Sequence, residues 1–315
     1  MAWNRADVLK ALADVKVESL QHTSGLQVFG LKWTSPISVD YVTLDEAISA
    51  KILDVAEIDE GGRVSSIKVV NKSDRFVFLM AGELLTGCKQ DRVINVSIMV
   101  PTKGELHIPA TCVEAGRWSY RSRKFSSEGS SSHGLLRKMM SRQVAEHYKA
   151  HGMPGSDQAV VWAEVARKMA KTGSCSPSGA LQEMYKGYAS SLAEVLGKFP
   201  APAGCHGAAF VIDGKIVGVD LFDKQSTLNK LWSKLIKSYA MDALEDPKNK
   251  PTLVQPEQIS EWVKAAGTAK QKWFDSPGVG HNVRIEGEEL VGAALVVGEN
   301  PVHLELFQEE PRAPE

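Results

Sequence analysis

From Ser66 to Glu114 the chain is a near-continuous succession of short apolar, β-branched runs and polar turns, and no other stretch limits its fold so tightly. Ile67–Val70, Phe76–Met80 and Val93–Val100 have strand composition, and Asn71-Lys72-Ser73-Asp74 and Pro101-Thr102-Lys103-Gly104 are turn sequences. Short strands at this spacing predict an antiparallel sandwich or rolled sheet, because each strand must bury a face against another layer. Glu83, Lys89, Gln90, Asp91, Arg92, Glu114 and Arg117 crowd into the same region. Polar groups that converge between strands need partners or a ligand, since burying them alone costs several kcal/mol.

Around this stretch the periodicity changes. Asn4–Val15 has helical spacing, Leu26–Trp33 and Ile52–Ile58 read as strands, and Thr43-Leu44-Asp45-Glu46 is a capping box that opens a short helix. Leu135–Lys149 and Ala159–Lys171 are amphipathic, and Ser176-Pro177 predicts the start of a third helix with an apolar stripe through Leu181, Tyr185, Leu192 and Leu196. Ala208–Ile212 and Ile216–Leu221 flank Asp213-Gly214, a strong hairpin signal because both turn residues tolerate positive φ. A helix with Leu228, Leu231, Leu235 and Tyr239 on one face follows, then Pro256–Ala266, then strands at Asn282–Glu286, Leu290–Val297 and Val302–Phe307. The expectation is an α+β fold: a β-rich antiparallel sandwich or rolled sheet with a helical middle segment and returning C-terminal strands. No linker is visible, so residues 1–315 are expected to form one domain, β-rich over 15–125, helical over 134–198 and mixed over 206–307.

Composition sets the outer limits. A formal net charge of -1 argues against general electrostatic capture of nucleic acid or an anionic membrane. No apolar stretch approaches the roughly 18 residues of a spanning helix, and the N-terminus has no apolar signal core. A cytoplasmic location is expected. Cys88, Cys112, Cys175 and Cys205 form no C-x-x-C pair and no zinc spacing, and read as free thiols. Cys88 and Cys112 lie in the polar region, where a nucleophile and a small apolar packing residue are the alternatives.

Several motifs exclude themselves. Gly82-x4-Gly87-Cys88-Lys89 is offset by one residue from a P-loop, and no Ser or Thr follows the lysine. His147 and His151 have chelating spacing on a helix, but they lack the His-Glu-x-x-His pattern and sit at a helix end, where a surface role is the simpler reading. No Gly-x-Ser-x-Gly elbow is present. The residues specify neither a metal-ligand set nor a cofactor. What remains is the polar region itself. Glu83 and Glu114 are the acid–base candidates, near cations able to shift their pKa values. Lys89, Gln90, Arg92, Arg117 and Trp118 are the candidates for holding substrate. Read as a strand, Arg117–Phe125 would place Arg117, Arg121 and Arg123 on one face, to bind phosphate or to protect a sheet edge. The polar groups equally suit a buried structural ion-pair network. Ser126–Gly134 has the composition of a mobile flap, and Asp220 either ends its strand or caps the next helix.

Gly82, Glu83, Leu85, Gly87, Lys89, Gln90 and Arg92, then Val100-Pro101 and Gly104, then Ile108-Pro109 and Cys112-Val113-Glu114 with Gly116-Arg117-Trp118, resemble the motif of an uncharacterised bacterial domain family. That family is named for association with ADP-ribosylglycohydrolases and rhodanese-like phosphatases. Cys88 and Asp91 depart from its pattern, which has Ala and Asn there, so neither is expected to be an essential nucleophile. The resemblance runs from about Leu26 to Phe307 and implies a link to ADP-ribose or NAD metabolism, in stress or anti-phage functions. The function expected is binding or hydrolysis of a phosphorylated, nucleotide-like small molecule such as an ADP-ribose derivative. The alternative is a non-catalytic interaction module whose polar cluster is structural.

Overall fold

The computed structural model describes residues 10–23, 25–33, 39–246 and 252–310. After a 3-10 turn at Lys10–Asp14, the elements run β1 (Lys16–Thr23), β2 (Leu26–Lys32), β3 (Tyr41–Thr43), α1 (Leu44–Ser49), β4 (Leu53–Ala56), β5 (Ser66–Asn71), β6 (Phe76–Leu79), β7 (Leu84–Gly87), β8 (Arg92–Ile94), β9 (Ile98–Val100), β10 (Glu105–Cys112) and β11 (Phe125–Ser126). They continue with α2 (Gly134–His151), α3 (Gln158–Thr172), α4 (Leu181–Gly187), α5 (Ala189–Lys198), β12 (Gly207–Ile212), β13 (Lys215–Phe222), α6 (Gln225–Ala243), α7 (Pro256–Ala266), β14 (Lys270–Asp275), β15 (His281–Glu286), β16 (Leu290–Val297) and β17 (Asn300–Gln308). The fold is α+β, as the strand and helix periodicities predict.

One eight-stranded antiparallel sheet, β1-β2-β12-β13-β17-β16-β15-β14, joins strands from both ends of the chain. Both faces of its central strands are covered. Alternation along β12 sends Ala208 and Phe210 toward α6, while Ala209 and Val211 face a second core with Ile259 and Val263 of α7. A six-stranded sheet, β11-β7-β8-β10-β5-β4, and a three-stranded sheet, β3-β6-β9, enclose the third core through Val69, Val77, Ile94, Ile98 and Ile108.

Local signals survive folding well. Thr43 and Glu46 close their capping box, with Glu46 accepting from the Thr43 amide at 2.8 Å, and Asp213 takes the positive φ of the hairpin turn. Three expectations change. Val93–Val100 is two strands in two sheets, β8 and β9, because buried Asn95 and Ser97 bond to Thr111 and to the Ala81 amide at the crossing point. Residues 117–124 are not a strand; they form an irregular loop. The predicted third helix starts later and breaks at Tyr188 into α4 and α5, since Ser176 caps a turn through the Ala180 amide and not the helix itself. The predicted N-terminal helix is described only from Lys10, and residues 1–9 lie outside the described residues.

Candidate functional site

The antiparallel pairing of β8 with β10 sets Arg92 opposite Cys112 and so brings the segments after β7 and after β10 to one end of the sheet. There Lys89, Gln90, Asp91, Arg92, Glu114, Arg117 and Trp118 converge. Gly87 is required at this corner. Its φ is +113°, and an added Cβ would stand 2.4 Å from the Ser122 hydroxyl of the loop that packs across it.

Arg117 is the hub. Its Nε donates to Glu114 Oε1 at 2.9 Å, and one terminal nitrogen donates to Glu114 Oε2 at 2.5 Å, Gly87 O at 3.2 Å and Asp91 Oδ1 at 3.3 Å. The other terminal nitrogen donates to the carbonyls of Cys88 at 2.6 Å and Ser119 at 2.7 Å. All five N–H groups therefore have protein acceptors. Glu114 is fully buried and also accepts from the Ser178 hydroxyl at 2.6 Å and the Asp91 amide at 3.1 Å. Burial alone would raise its pKa, but the hydrogen bonds from Arg117, Ser178 and Asp91 outweigh that and hold it below the usual range. Gln90 donates to the Glu114 carbonyl at 2.7 Å. Arg92, without exposed surface, pairs with Glu57 at 3.2 Å and donates to Val64 O and Cys112 Sγ, each at 2.6 Å. Burial pushes both thiols, Cys88 and Cys112, up to about 11, so neither is a thiolate at neutral pH.

Asp91 behaves differently from its neighbour. Burial is the largest influence on it and the nearby Glu114 charge adds to the effect; against the Gly87 amide and the two arginines they leave it pushed up to about 6. A carboxyl whose folded-state pKa exceeds its unfolded value contributes stability below about pH 4 that is lost as pH rises through 6. Asp91→Asn keeps the acceptor for Gly87 and removes the charge. Urea unfolding should show it equal to the parent at pH 4 and more stable by about 1–3 kcal/mol at pH 8; a variant destabilised at pH 8 contradicts this account.

Glu83 stands apart from Glu114. Its carboxylate accepts from Lys234 of α6 and from the Met80 amide at 2.7 Å, and Lys234 also reaches Asp45 at 2.7 Å. Burial acts to lower the lysine's pKa, but Glu83 and Asp45 raise it above its ordinary value. The two candidate acid–base residues thus have no bonding partner in common. The 126–134 segment expected to be a mobile flap is buried in its second half, while residues 126–129 are exposed or half-buried. Ser131 bridges Glu83, the Ser132 amide donates to Gly82 O at 2.7 Å, and Ser130 to Gly134 are buried. Small serines pack closely where the composition suggested flexibility.

The exposed part of the cluster is the 117–124 loop. Trp118 is 46% exposed and Tyr120 39%. The Lys89 ammonium, anchored on Gly61 O at 2.7 Å, lies 5.3 Å from the Trp118 ring and 5.2 Å from the Tyr120 ring. Arg123 covers Tyr120 at 5.0 Å, and the side chains of Arg121 and Lys124 reach solvent.

A second polar network escaped sequence reasoning. Arg137 of α2 donates to Asp220 at 2.5 and 2.9 Å and to Glu305 at 3.1 Å, with Tyr239 and His303 also bonded to Asp220. Asp220 is fully buried inside β13 and neither ends the strand nor caps α6. Ligand atoms of Asp220, His303 and Glu305 lie within 4.8 Å of one another, which would suit a cation. The Arg137 guanidinium already fills that role. A separate cleft of about 800 Å³ is lined by Leu135, Ile212, Val217, Asp242 and Glu245. Asp242 and Glu245 there are paired with Lys168 at 2.5 and 2.6 Å.

The architecture is that of an α+β protein with a buried, self-compensated ion cluster beneath an exposed basic and aromatic loop. The chain belongs to the family described as the ARG and Rhodanese-Phosphatase-superfamily-associated Protein domain, which it matches over residues 14–307. No curated protein and no solved structure gives a significant match. Among the described residues no helix is long and apolar enough to cross a membrane.

Proposed function

We propose that this chain is a binding module for a phosphorylated, nucleotide-like molecule of the ADP-ribose class, with its ion cluster serving as scaffold and the 117–124 loop as the contact surface. The observation that carries this reading is the saturation of Arg117. A guanidinium whose every donor is engaged by protein cannot take a phosphate without abandoning Glu114, whose stranded charge would cost several kcal/mol. The anion then falls to Lys89, Arg121 and Arg123, which need give up less, and Trp118 offers a ring for a base. The family's association with ADP-ribose-related proteins supports the ligand class, and a role in bacterial stress or phage defence fits it. Hydrolysis with Glu114 as base is the weaker reading, because its oxygens are already filled and its proton affinity is lowered.

Titration calorimetry with ADP-ribose, paired with chromatography of the ligand afterwards, tests the proposal. Wild type should bind and return the ligand intact. Trp118→Ala should weaken binding by about 1–3 kcal/mol, the usual worth of one stacked base. Unchanged affinity in that variant removes the loop from recognition. Turnover that disappears in Glu114→Gln supports the hydrolytic reading.

A further inference from the structure

We propose that His147 and His151 form a two-histidine site for a borderline divalent transition-metal ion such as Zn²⁺ or Ni²⁺, completed by water and independent of the loop site. The two residues share one face of the last turns of α2, and their ring centroids are 4.4 Å apart. His147 Nδ1 lies 2.8 Å from the Met153 carbonyl. A carbonyl can only accept, so Nδ1 carries the proton and Nε2 keeps its lone pair. Metal-bound histidines are oriented in this way, the other ring nitrogen donating to a backbone carbonyl.

The chain after α2 builds the support. Gly152 ends the helix with φ +71°, and the chain then turns back so that Gly155 covers His147. A Cβ at Gly155 would stand 2.7, 2.7 and 2.8 Å from Cε1, Nε2 and Cδ2 of the imidazole. Near-equal distances to three ring atoms place Gly155 over the ring's face, so the in-plane lone pair of Nε2 is clear of it. A cleft of about 270 Å³ lies here, lined by Gln143, Glu146, His147, His151, Gly155 and Asp157. Asp157 caps α3 through Oδ1, accepting from Ala159 at 2.8 Å. Its charge and the carbonyl end of α2 both favour a cation in the cleft. Two imidazoles suit borderline metals and offer little to Mg²⁺, which prefers oxygen ligands.

Calorimetric titration of the untagged full chain with ZnCl₂, NiCl₂ and MgCl₂ is the test. One Zn²⁺ or Ni²⁺ per chain is expected, and no Mg²⁺. His147→Gln or His151→Gln should each weaken uptake more than about a hundredfold, beyond the usual cost of losing an outer-sphere partner, with melting temperatures unchanged. Gly155→Ala, which pushes the imidazole aside, should weaken it too. His281→Gln, at an exposed histidine of β15, should leave it intact. Absence of Zn²⁺ and Ni²⁺ uptake by wild type, or uptake equal in the double His147→Gln/His151→Gln variant, overturns the proposal.

Discussion

Arg117→Ala is expected to lower the unfolding free energy by about 3–5 kcal/mol, the usual result of removing one member of a buried ion pair. The loss comes chiefly from what remains. Glu114 would keep its buried carboxylate with Ser178, the Asp91 amide and half-exposed Arg121 as partners, while the carbonyls of Gly87, Cys88 and Ser119 would lose a shared donor. Arg117→Lys should recover part of the loss, since one ammonium can meet Glu114 but cannot span all six acceptor atoms. Urea unfolding of the single variants and of Arg117→Ala/Glu114→Gln makes a double-mutant cycle. A coupling of several kcal/mol identifies a scaffold. Additive losses, with each single change costing under about 1 kcal/mol, would mean that the guanidinium is held weakly and is available to a ligand.

The second large effect is expected at Arg137. Its side chain is 1% exposed, and Asp220 beside it has no exposed surface. Burial would raise the Asp220 pKa, but the Arg137 charge and the hydrogen bond from His303 overcome this and hold it well below the carboxylate range. A carboxylate with a depressed folded-state pKa contributes stability that is present above about pH 4 and lost as pH falls through its folded value. Arg137→Met keeps most of the stem volume and strands Asp220 and Glu305, so a loss of about 3–5 kcal/mol is expected at pH 7. The stranded acids can escape by binding protons, and the deficit relative to wild type should shrink toward pH 4. A deficit that does not change between pH 7 and pH 4 would assign the loss to packing against Tyr239 and Phe307, not to charge.

These two arginines show where sequence reading succeeded and where it ended. Arg117 was legible as a candidate because it lies three residues from Glu114 and inside a dense polar motif, yet its spacing could not say whether the guanidinium faces a ligand or the protein. That choice belongs to Gly87, Cys88 and Asp91, which the pairing of β8 with β10 brings to it from about thirty residues away. Arg137 gave no signal. It occupies one turn of an amphipathic helix, and its partner Asp220 is separated from it by 83 positions. Glu83 was legible as a polar residue among strands, while its partner Lys234 lies 151 positions away on a helix.

The amino-acid pattern by itself determined the elements whose stabilising contacts are local: the Thr43–Glu46 box, the Asp213-Gly214 hairpin, and the apolar stripes of α2, α3, α6 and α7. Their periodicity is written within a few residues, where hydrogen-bond geometry repeats. Only the tertiary structure decided that Val93–Val100 divides between two sheets, that the 130–134 half of the serine-rich segment is buried, and that Glu83 and Glu114 serve separate networks. Each of those outcomes depends on which distant charge or strand edge satisfies a buried polar group. That pairing is chosen by the whole fold, because the cost of leaving any such group unpaired exceeds every local preference involved.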